Sequence, residues 1–346
     1  MDIEASRQAV SALPITVHVM DSLRESARLT ATHYSTQIEG NRLTQEQVVE
    51  VLHGGTFPNR ERDEREVKNY YLALDYVDEL IKANSPAISE SHIQTIHGLV
   101  MDGKNKPSPY RDGQNVIRDS ASGGIVYMPP EAGDVSALMQ DLIAWVNAER
   151  EKEELPVPII AGIAHYQFAT IHPYYDGNGR TARLLTNVIL HKSGYGLKGI
   201  YSLEEYYARN LQAYYDALTV GESHNYYFGR AESDITNWVM YFSEGMAEAF
   251  ANVRLKAAEA VRQGESRADH LPLLRELDQR QKQVLSLFKE NRFVKTKEIA
   301  ALLHIHPRSA LNLCKKWVNE EFLIQHGTSN KTRQYELAEK WLSLLV

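Results

Sequence analysis

The chain has 346 residues, with 38 Lys and Arg against 45 Asp and Glu, a net charge of −7 and 43% hydrophobic residues. That is the make-up of a globular protein with room for one large domain and at least one smaller one. No apolar run approaches the ~20 residues that cross a bilayer, the first residues (Met-Asp-Ile-Glu-Ala-Ser) hold neither a basic segment nor an apolar signal core, and the lone Cys314 excludes an internal disulfide or a cysteine-based zinc site. A soluble, cytoplasmic protein without a membrane partner is expected.

Apolar periodicity and punctuation predict a mainly helical chain. A helix over 21–38 stops near Gly40 and Asn41, and Thr44 with Gln47 forms a capping box for the next, which ends at Gly54 and Gly55. A long, charged, tyrosine-rich helix spans 62–83 and a shorter one runs from Glu90 to Val100. The proline- and glycine-bearing stretch 103–130 reads as loop and hairpin. Helices follow at 134–149, 159–170, 179–192, 203–219 and 232–262, and the polar stretch Gln263–Asp269 reads as the edge of a linker.

Residues 278–346 carry 12 Lys and Arg against 7 Asp and Glu, a balance of +5 that leaves −12 for residues 1–277. Within them, helices are expected at Arg280–Glu290, at 296–303 with Thr296 as N-cap, and at 307–318 with Pro307 in the first turn. The turn His304-Ile-His306 reads as packing rather than a metal pair, since no carboxylate or cysteine accompanies it. A hairpin is expected over 322–335. This order resembles a winged helix-turn-helix, whose second paired helix enters the major groove of DNA. Arg308, Ser309, Asn312, Lys315 and Lys316 are the residues expected to face a duplex, with Lys331 and Arg333 on the wing; docking of a protein partner is the other use of such a module.

Chemistry concentrates in twelve consecutive residues, His172-Pro-Tyr-Tyr-Asp176-Gly177-Asn178-Gly179-Arg180-Thr181-Ala182-Arg183. Apolar runs at helical spacing lie before them (Ile159, Ile160, Ile163, Ala164, Phe168, Ile171) and after them (Leu185, Val188, Ile189), so the stretch closes one buried helix and opens another. Two glycines let backbone amides turn inward, and the N-terminus of the second helix adds unpaired N–H groups and a positive dipole end: an anion nest. Taken singly, Asp-Gly-Asn-Gly is an ordinary turn and two arginines three apart are an ordinary solvated face. Together they supply a base, a carboxylate and cationic forks around one turn. No P-loop pattern occurs in the chain.

The stretch resembles the signature of the Fic family, His-Pro-Phe-x-Asp/Glu-Gly-Asn-Gly-Arg-x-x-Arg, departing only at Tyr174, where an aromatic ring is kept. Ser35-Thr-Gln-Ile-Glu39-Gly40 is similar to the family's inhibitory pattern, Ser/Thr-x-x-x-Glu-Gly/Asn. Ile125-Val-Tyr-Met-Pro-Pro130 looks like the family's flap, a hairpin that clamps a target segment. The resemblance spans about residues 20 to 250. It implies a mainly α fold: a Fic-type helical bundle with a small β-hairpin flap, plus the C-terminal winged helix-turn-helix domain. The corresponding organisation is an N-terminal helical region with the inhibitory motif (1–100), a catalytic core (101–262), a linker (263–277) and the winged-helix-like domain (278–346).

The resemblance also implies a reaction: transfer of AMP from ATP to a Ser, Thr or Tyr hydroxyl of a protein, including the enzyme itself. His172 is then the base, with an ordinary pKa near ~6.5, and Asp176 a ligand for Mg²⁺. Gly177, Asn178, Gly179, Thr181 and Ala182 form the phosphate-binding turn, and Arg180 and Arg183 grip the β- and γ-phosphates. Tyr214 and Tyr215 are candidates for the adenine pocket, of which Tyr215 is taken to border the base. Glu39 is expected to compete with the γ-phosphate for Arg183. The partners implied are ATP, a hydroxyl-bearing protein adding as a strand to the flap at Ile125–Pro130, duplex DNA at the C-terminal domain, and a second copy of the chain. Two other readings remain: a Fic-type transferase with another nucleotide or phosphoryl donor, and a DNA-binding regulator that uses the Fic-like domain as a nucleotide sensor.

Overall fold

In the computed structural model of the protein, residues 2–83, 87–118, 123–221, 223–268, 276–327 and 333–345 are described. The chain divides into two units, residues 1–259 and 260–346.

The first unit is built on helices: α1 (Asp2–Ala12), α2 (Val17–Ile38), α3 (Gln45–Leu52), α4 (Glu61–Lys82), α5 (Glu90–Asp102), α6 (Ala132–Lys152), α7 (Val157–Ile171), α8 (Asn178–Lys192), α9 (Glu204–Arg209), α10 (Leu211–Leu218) and α11 (Thr236–Ala268). α7 is buried on nearly every side: Ile160, Ala161, Ala164, Phe168 and Ile171 are each fully covered, as are Ala182, Leu184, Ile189 and Leu190 of its neighbour α8. Burying a large aliphatic or aromatic side chain of this kind contributes about 1.5–3 kcal/mol. The pair α7 and α8 therefore forms the rigid centre, with α6 against α7 and with α4, α5 and α2 against α8. The loop between them inherits that rigidity.

Local chemistry explains the boundaries. Thr44 and Gln47 form the expected capping box of α3, Ser89 and His92 form another on α5, and Gly103 ends α5 in the left-handed region. The helix expected over 203–219 is two. Asn210 leaves helical geometry (φ −138°, ψ 77°), and its side chain instead accepts the Ala213 N–H at 3.1 Å, capping α10. α1 lies in the expected N-terminal helical region, in a stretch where no individual helix was placed. α11 continues to Ala268, into the stretch read as linker, and residues 269–275 lie outside the described residues.

The hairpin is short: β1 (Ile117–Arg118) pairs antiparallel with β2 (Ile125–Tyr127). The far edge of β2 is already engaged near its end. The Met128 N–H donates to the His224 carbonyl (2.7 Å), Tyr226 N–H donates to the Met128 carbonyl (3.1 Å), and the His224 ring lies 2.8 Å from the Val126 carbonyl.

The second unit holds α12 (Gln279–Glu290), α13 (Thr296–Leu302), α14 (Pro307–Asn319) and a hairpin of β3 (Leu323–His326) and β4 (Gln334–Leu337) in antiparallel register. A bridge from Val294 to Tyr335 ties the stretch before α13 to that hairpin. The core is apolar: Val284, Ile299, Cys314, Trp317, Phe322 and Tyr335 are fully or almost fully buried. The N-cap of α13 is Lys295, one residue before the expected Thr296, because Lys295 N–H finds the Glu298 carboxylate at 2.7 Å. His306 caps α14 by accepting the Arg308 N–H at 3.2 Å, which accounts for a histidine in the turn. The hairpin tip, with Lys331, lies outside the described residues.

Candidate active site

α7 ends at Ile171, and His172 takes the left-handed conformation there (φ 51°, ψ 59°) while its N–H still closes the helix on the Phe168 carbonyl at 3.0 Å. A non-glycine residue in this region is uncommon and is held by its surroundings. The holder is Arg111, a buried residue that the sequence pattern did not single out. Its Nε donates to the His172 carbonyl (3.0 Å), its backbone N–H to the Pro173 carbonyl (2.9 Å), Nη1 to the Gly113 carbonyl (3.0 Å) and Nη2 to the Pro130 carbonyl. One guanidinium thus staples the motif loop to the end of the flap. The His172 imidazole is half-buried and its pKa is pushed down to about 4 by loss of water around it; a hydrogen bond to the Ala169 backbone acts the other way, the Arg111 charge lowers it further, and Glu39 and Asp176 oppose more weakly. The ordinary value near ~6.5 expected from sequence does not apply, because neither burial nor Arg111 is visible there.

Gly177 caps α8 at φ 77°, and a Cβ there would lie 2.6 Å from the Met101 sulfur and 3.2 Å from His97 Nε2, so only glycine fits. The Gly177 N–H is taken by Asp176 Oδ1 at 2.6 Å, and the Thr181 N–H returns to the Gly177 carbonyl at 3.0 Å. Between them stand the first amides of α8, on Asn178, Gly179 and Arg180. A helix leaves these without an intrahelical acceptor, and no side chain caps them here. The nest expected around Gly177–Gly179 is therefore shifted one residue onwards.

The motif side chains divide by direction. Asn178, expected to touch phosphate, is buried and uses both ends of its amide on Tyr174: Oδ1 accepts the Tyr174 N–H (3.0 Å) and Nδ2 donates to the Tyr174 carbonyl (2.8 Å). It braces the loop. The Thr181 hydroxyl is spent on the Gly177 carbonyl (2.8 Å), and Ala182 packs in the core. Tyr174 is buried and stacks on His97 with ring centres 3.5 Å apart. His97, also missed by sequence reasoning, holds the loop from below: Nε2 lies 2.9 Å from the Asp176 carbonyl oxygen and Nδ1 lies 2.6 Å from the Ser108 hydroxyl. The Asp176 side chain itself remains largely open to solvent.

The two arginines are both buried and differently partnered. Arg180 faces Asp176 (3.4 Å) and Glu66 of α4 (3.9 Å), and its Nε has no acceptor among the described residues. Arg183 reaches α2: Nε donates to Ser35 Oγ (2.8 Å), and Nη2 donates to the Ser35 carbonyl (2.9 Å) and to Glu39 Oε1 (2.8 Å). Burial alone would lower the Arg183 pKa, but Glu39, with Tyr214 and Tyr70, outweighs it and raises it. The contact anticipated between Glu39 and Arg183, 144 residues apart, is thus present. Gly179 makes room for it, since a Cβ there would lie 2.4 Å from Glu39 Oε1. Tyr215 stands beside this pair, partly exposed, with its hydroxyl 3.4 Å from the Ile38 carbonyl.

On the flap, Tyr127 is an anchor rather than a docking surface: it is buried, and its hydroxyl donates to the Thr170 carbonyl at 2.8 Å, with Arg230 above the ring. Ile125 and Val126 are the flap's exposed side chains.

Residues 87–190 match the family model described as the Fic/DOC family. A protein adenylyltransferase Fic of Drosophila ananassae is 30% identical over 194 residues, covering 56% of this chain and 38% of its own. Its counterpart from Drosophila willistoni is 31% identical over 194 residues, with the same coverage. The chain spans well under half the length of those curated relatives. Among solved structures, a Fic family protein from Desulfovibrio desulfuricans superposes with a TM-score of 0.63 at 22% identity, covering 97% of this chain and 95% of that one. A Fic domain-containing signaling protein from Bacteroides thetaiotaomicron gives 0.65 at 23% identity, covering 76% of this chain and 97% of that one. The fold is the Fic fold. Residues 87–190 are similar to the Fic/DOC family.

Proposed function

We propose that the chain is a protein adenylyltransferase that moves AMP from ATP to a hydroxyl of a protein, and that it is held off by its own α2. The observation that carries this reading is the turn itself: an uncapped α8 N-terminus flanked by His172 on one side and two buried arginines on the other, inside a Fic domain. The amides of Asn178, Gly179 and Arg180 offer three parallel donors to phosphate oxygens, where charge develops during transfer. His172, neutral at physiological pH, accepts the proton of the incoming Ser, Thr or Tyr hydroxyl. Arg180 and Arg183 bind the β- and γ-phosphates, and Tyr215 borders the base.

Asp176 fits Mg²⁺. Among the described residues no group of three His, Cys, Asp or Glu could hold a metal ion, but Mg²⁺ needs only one or two carboxylates when phosphates and water complete its shell. The exposed Asp176 carboxylate meets that requirement, and the ion would supply charge neutralisation to the phosphates. Glu39 on Arg183 leaves the γ-phosphate in competition with a carboxylate already in hydrogen-bonding contact, which is the physical basis for inhibition. Incubation with α-labelled and with γ-labelled ATP tests the whole reading. Only α-label should remain on protein; γ-label on protein would mean phosphoryl transfer, and no label at all would favour a sensor.

For the second unit we propose duplex DNA as partner. Arg308, Ser309, Asn312, Lys315 and Lys316 all lie on the exposed face of α14, opposite the buried Ala310, Cys314 and Trp317. A cationic helix face of this kind recognises phosphate. A cytoplasmic location and assembly with a second copy belong to the same proposal.

A further inference from the structure

His165 is completely buried in α7, two turns before His172, and takes part in none of the steps above. Its two ring nitrogens have different partners. Nδ1 lies 3.0 Å from Thr186 Oγ1 and Nε2 lies 2.9 Å from the Tyr214 hydroxyl. The protons can be assigned by valence. The Thr186 hydroxyl donates to the Ala182 carbonyl (2.8 Å), so toward His165 it can only accept, and Nδ1 must carry the hydrogen. Burial holds the ring neutral, with a pKa of about 3. Nε2 is then bare and can only accept, so the Tyr214 hydroxyl donates to it. That leaves the lone pairs of the buried Tyr214 oxygen for its other neighbour, the Arg183 guanidinium, whose Nη1 is buried with no hydrogen-bond acceptor among the described residues.

We propose that His165 and Tyr214 are positioning residues for the triphosphate end of the nucleotide: the pair turns the Tyr214 oxygen toward Arg183 and fixes where that guanidinium sits. The relay runs in one direction, from Tyr214 to His165 to Thr186 to the carbonyl of Ala182, the residue before Arg183. It therefore ties the arginine's side chain to its own helix backbone. This rests on the reading of Arg183 as a ligand of the terminal phosphate. Because Glu39 uses the same guanidinium, the relay is best examined with that competitor removed.

The test uses the full chain carrying Glu39→Gly, with Tyr214→Phe, His165→Phe, or both added. Affinities for a non-hydrolysable ATP analogue and for AMP are measured by calorimetry. Tyr214→Phe keeps the ring and removes one oxygen, so the fold should persist even if His165→Phe does not fold. Removing an oxygen that faces a buried guanidinium should weaken binding of the analogue about tenfold and leave AMP unchanged, because AMP has no phosphate at Arg183. The double change should be no worse than the worse single one, as expected for residues in one network. With ¹⁵N-labelled histidine, one ring should appear as the pure Nδ1–H tautomer and shift on Tyr214→Phe. Equal losses for AMP and the analogue, no loss for either, or effects that multiply would overturn the relay. A Glu39→Gly protein that binds neither nucleotide would instead remove the nucleotide reading beneath it, an outcome visible before either relay residue is changed.

Discussion

The two units of this chain treat charge in opposite ways. The first buries it: Arg111, Arg180, Arg183, Arg230, Asp63, Glu64, Glu66, Glu149 and Glu204 are all almost inaccessible to solvent. In the second, the one buried side chain of the polar or charged kind among the described residues is Gln281, and the cations of α14 stand outside. A buried ion pair is a poor source of stability, since desolvation offsets much of its attraction. Such a concentration instead marks a site where preorganised charge is used. Charge on the outside acts through a screened field and matters for encounter and affinity. The first unit should therefore respond to single substitutions by large, salt-insensitive changes, and the second by small, salt-dependent ones.

The largest effect should come from His172→Ala. Removing the base should lower label transfer by about a thousandfold while ATP binding persists; transfer near the unsubstituted rate would break the mechanism. The pH profile sharpens the point. With a pKa of about 4, kcat/KM for ATP should be flat through neutrality and fall only as pH drops toward 4. In the nucleotide complex the phosphate charge favours the imidazolium, so the acidic limb of kcat should lie at higher pH.

Glu39→Gly should raise AMP transfer, including self-modification, by about tenfold or more, a barrier lower by ~1.4 kcal/mol. The gain should vanish in the Glu39→Gly, Arg183→Ala double variant. A Glu39→Gly protein no faster than its parent would mean that the contact across 144 residues only ends a helix.

Smaller effects are expected in the second unit. The 346-residue chain should bind duplex DNA with an affinity that falls steeply as salt rises. Lys315→Ala and Lys316→Ala should each reduce the slope of log affinity against log salt by about 1, without changing label transfer. Binding insensitive to salt, or absent at low salt, would favour a protein partner.

A separate effect concerns stability. His165, His172 and His191 have folded-state pKa values of about 3, 4 and 4, all below the ~6.5 of an unfolded histidine. Their neutral burial therefore contributes fully above about pH 6.5, and the contribution is lost as pH falls toward 4. Calorimetry should show the melting temperature of the first unit falling over that window by roughly 2–4 °C for each kcal/mol lost. Among the described residues the second unit has no buried histidine and should change less.

Much of the helical framework was legible because its signals are local. The capping box at Thr44, the loop between two apolar runs, and Pro307 opening its helix each depend on residues within a few positions. The break at Asn210 was missed for a related reason: an asparagine inside an otherwise continuous pattern reads as tolerated until its side chain is seen capping the next helix. At the site, the contiguous motif announced His172, Asp176 and the arginines, and the pairing of Glu39 with Arg183 followed from the resemblance rather than from spacing. Arg111, His97 and His165 were silent, each an isolated residue whose partners in the site lie far away in sequence.

What the sequence determined alone is therefore the set of parts and their backbone setting: which segments coil, where glycine is obligatory, and that a base, a carboxylate and two cationic forks share one turn. These follow from short-range sterics and hydrogen bonding, which need only neighbours. What tertiary structure decided is direction and environment. It turned Asn178 inward onto Tyr174, sank Tyr127 beneath the flap, pushed the His172 pKa down, and aligned Thr186, His165 and Tyr214 into one oriented relay. Those outcomes depend on burial and, the Asn178–Tyr174 pair apart, on contacts between residues tens of positions apart, where the dielectric around a group and the one partner left to it are set by packing.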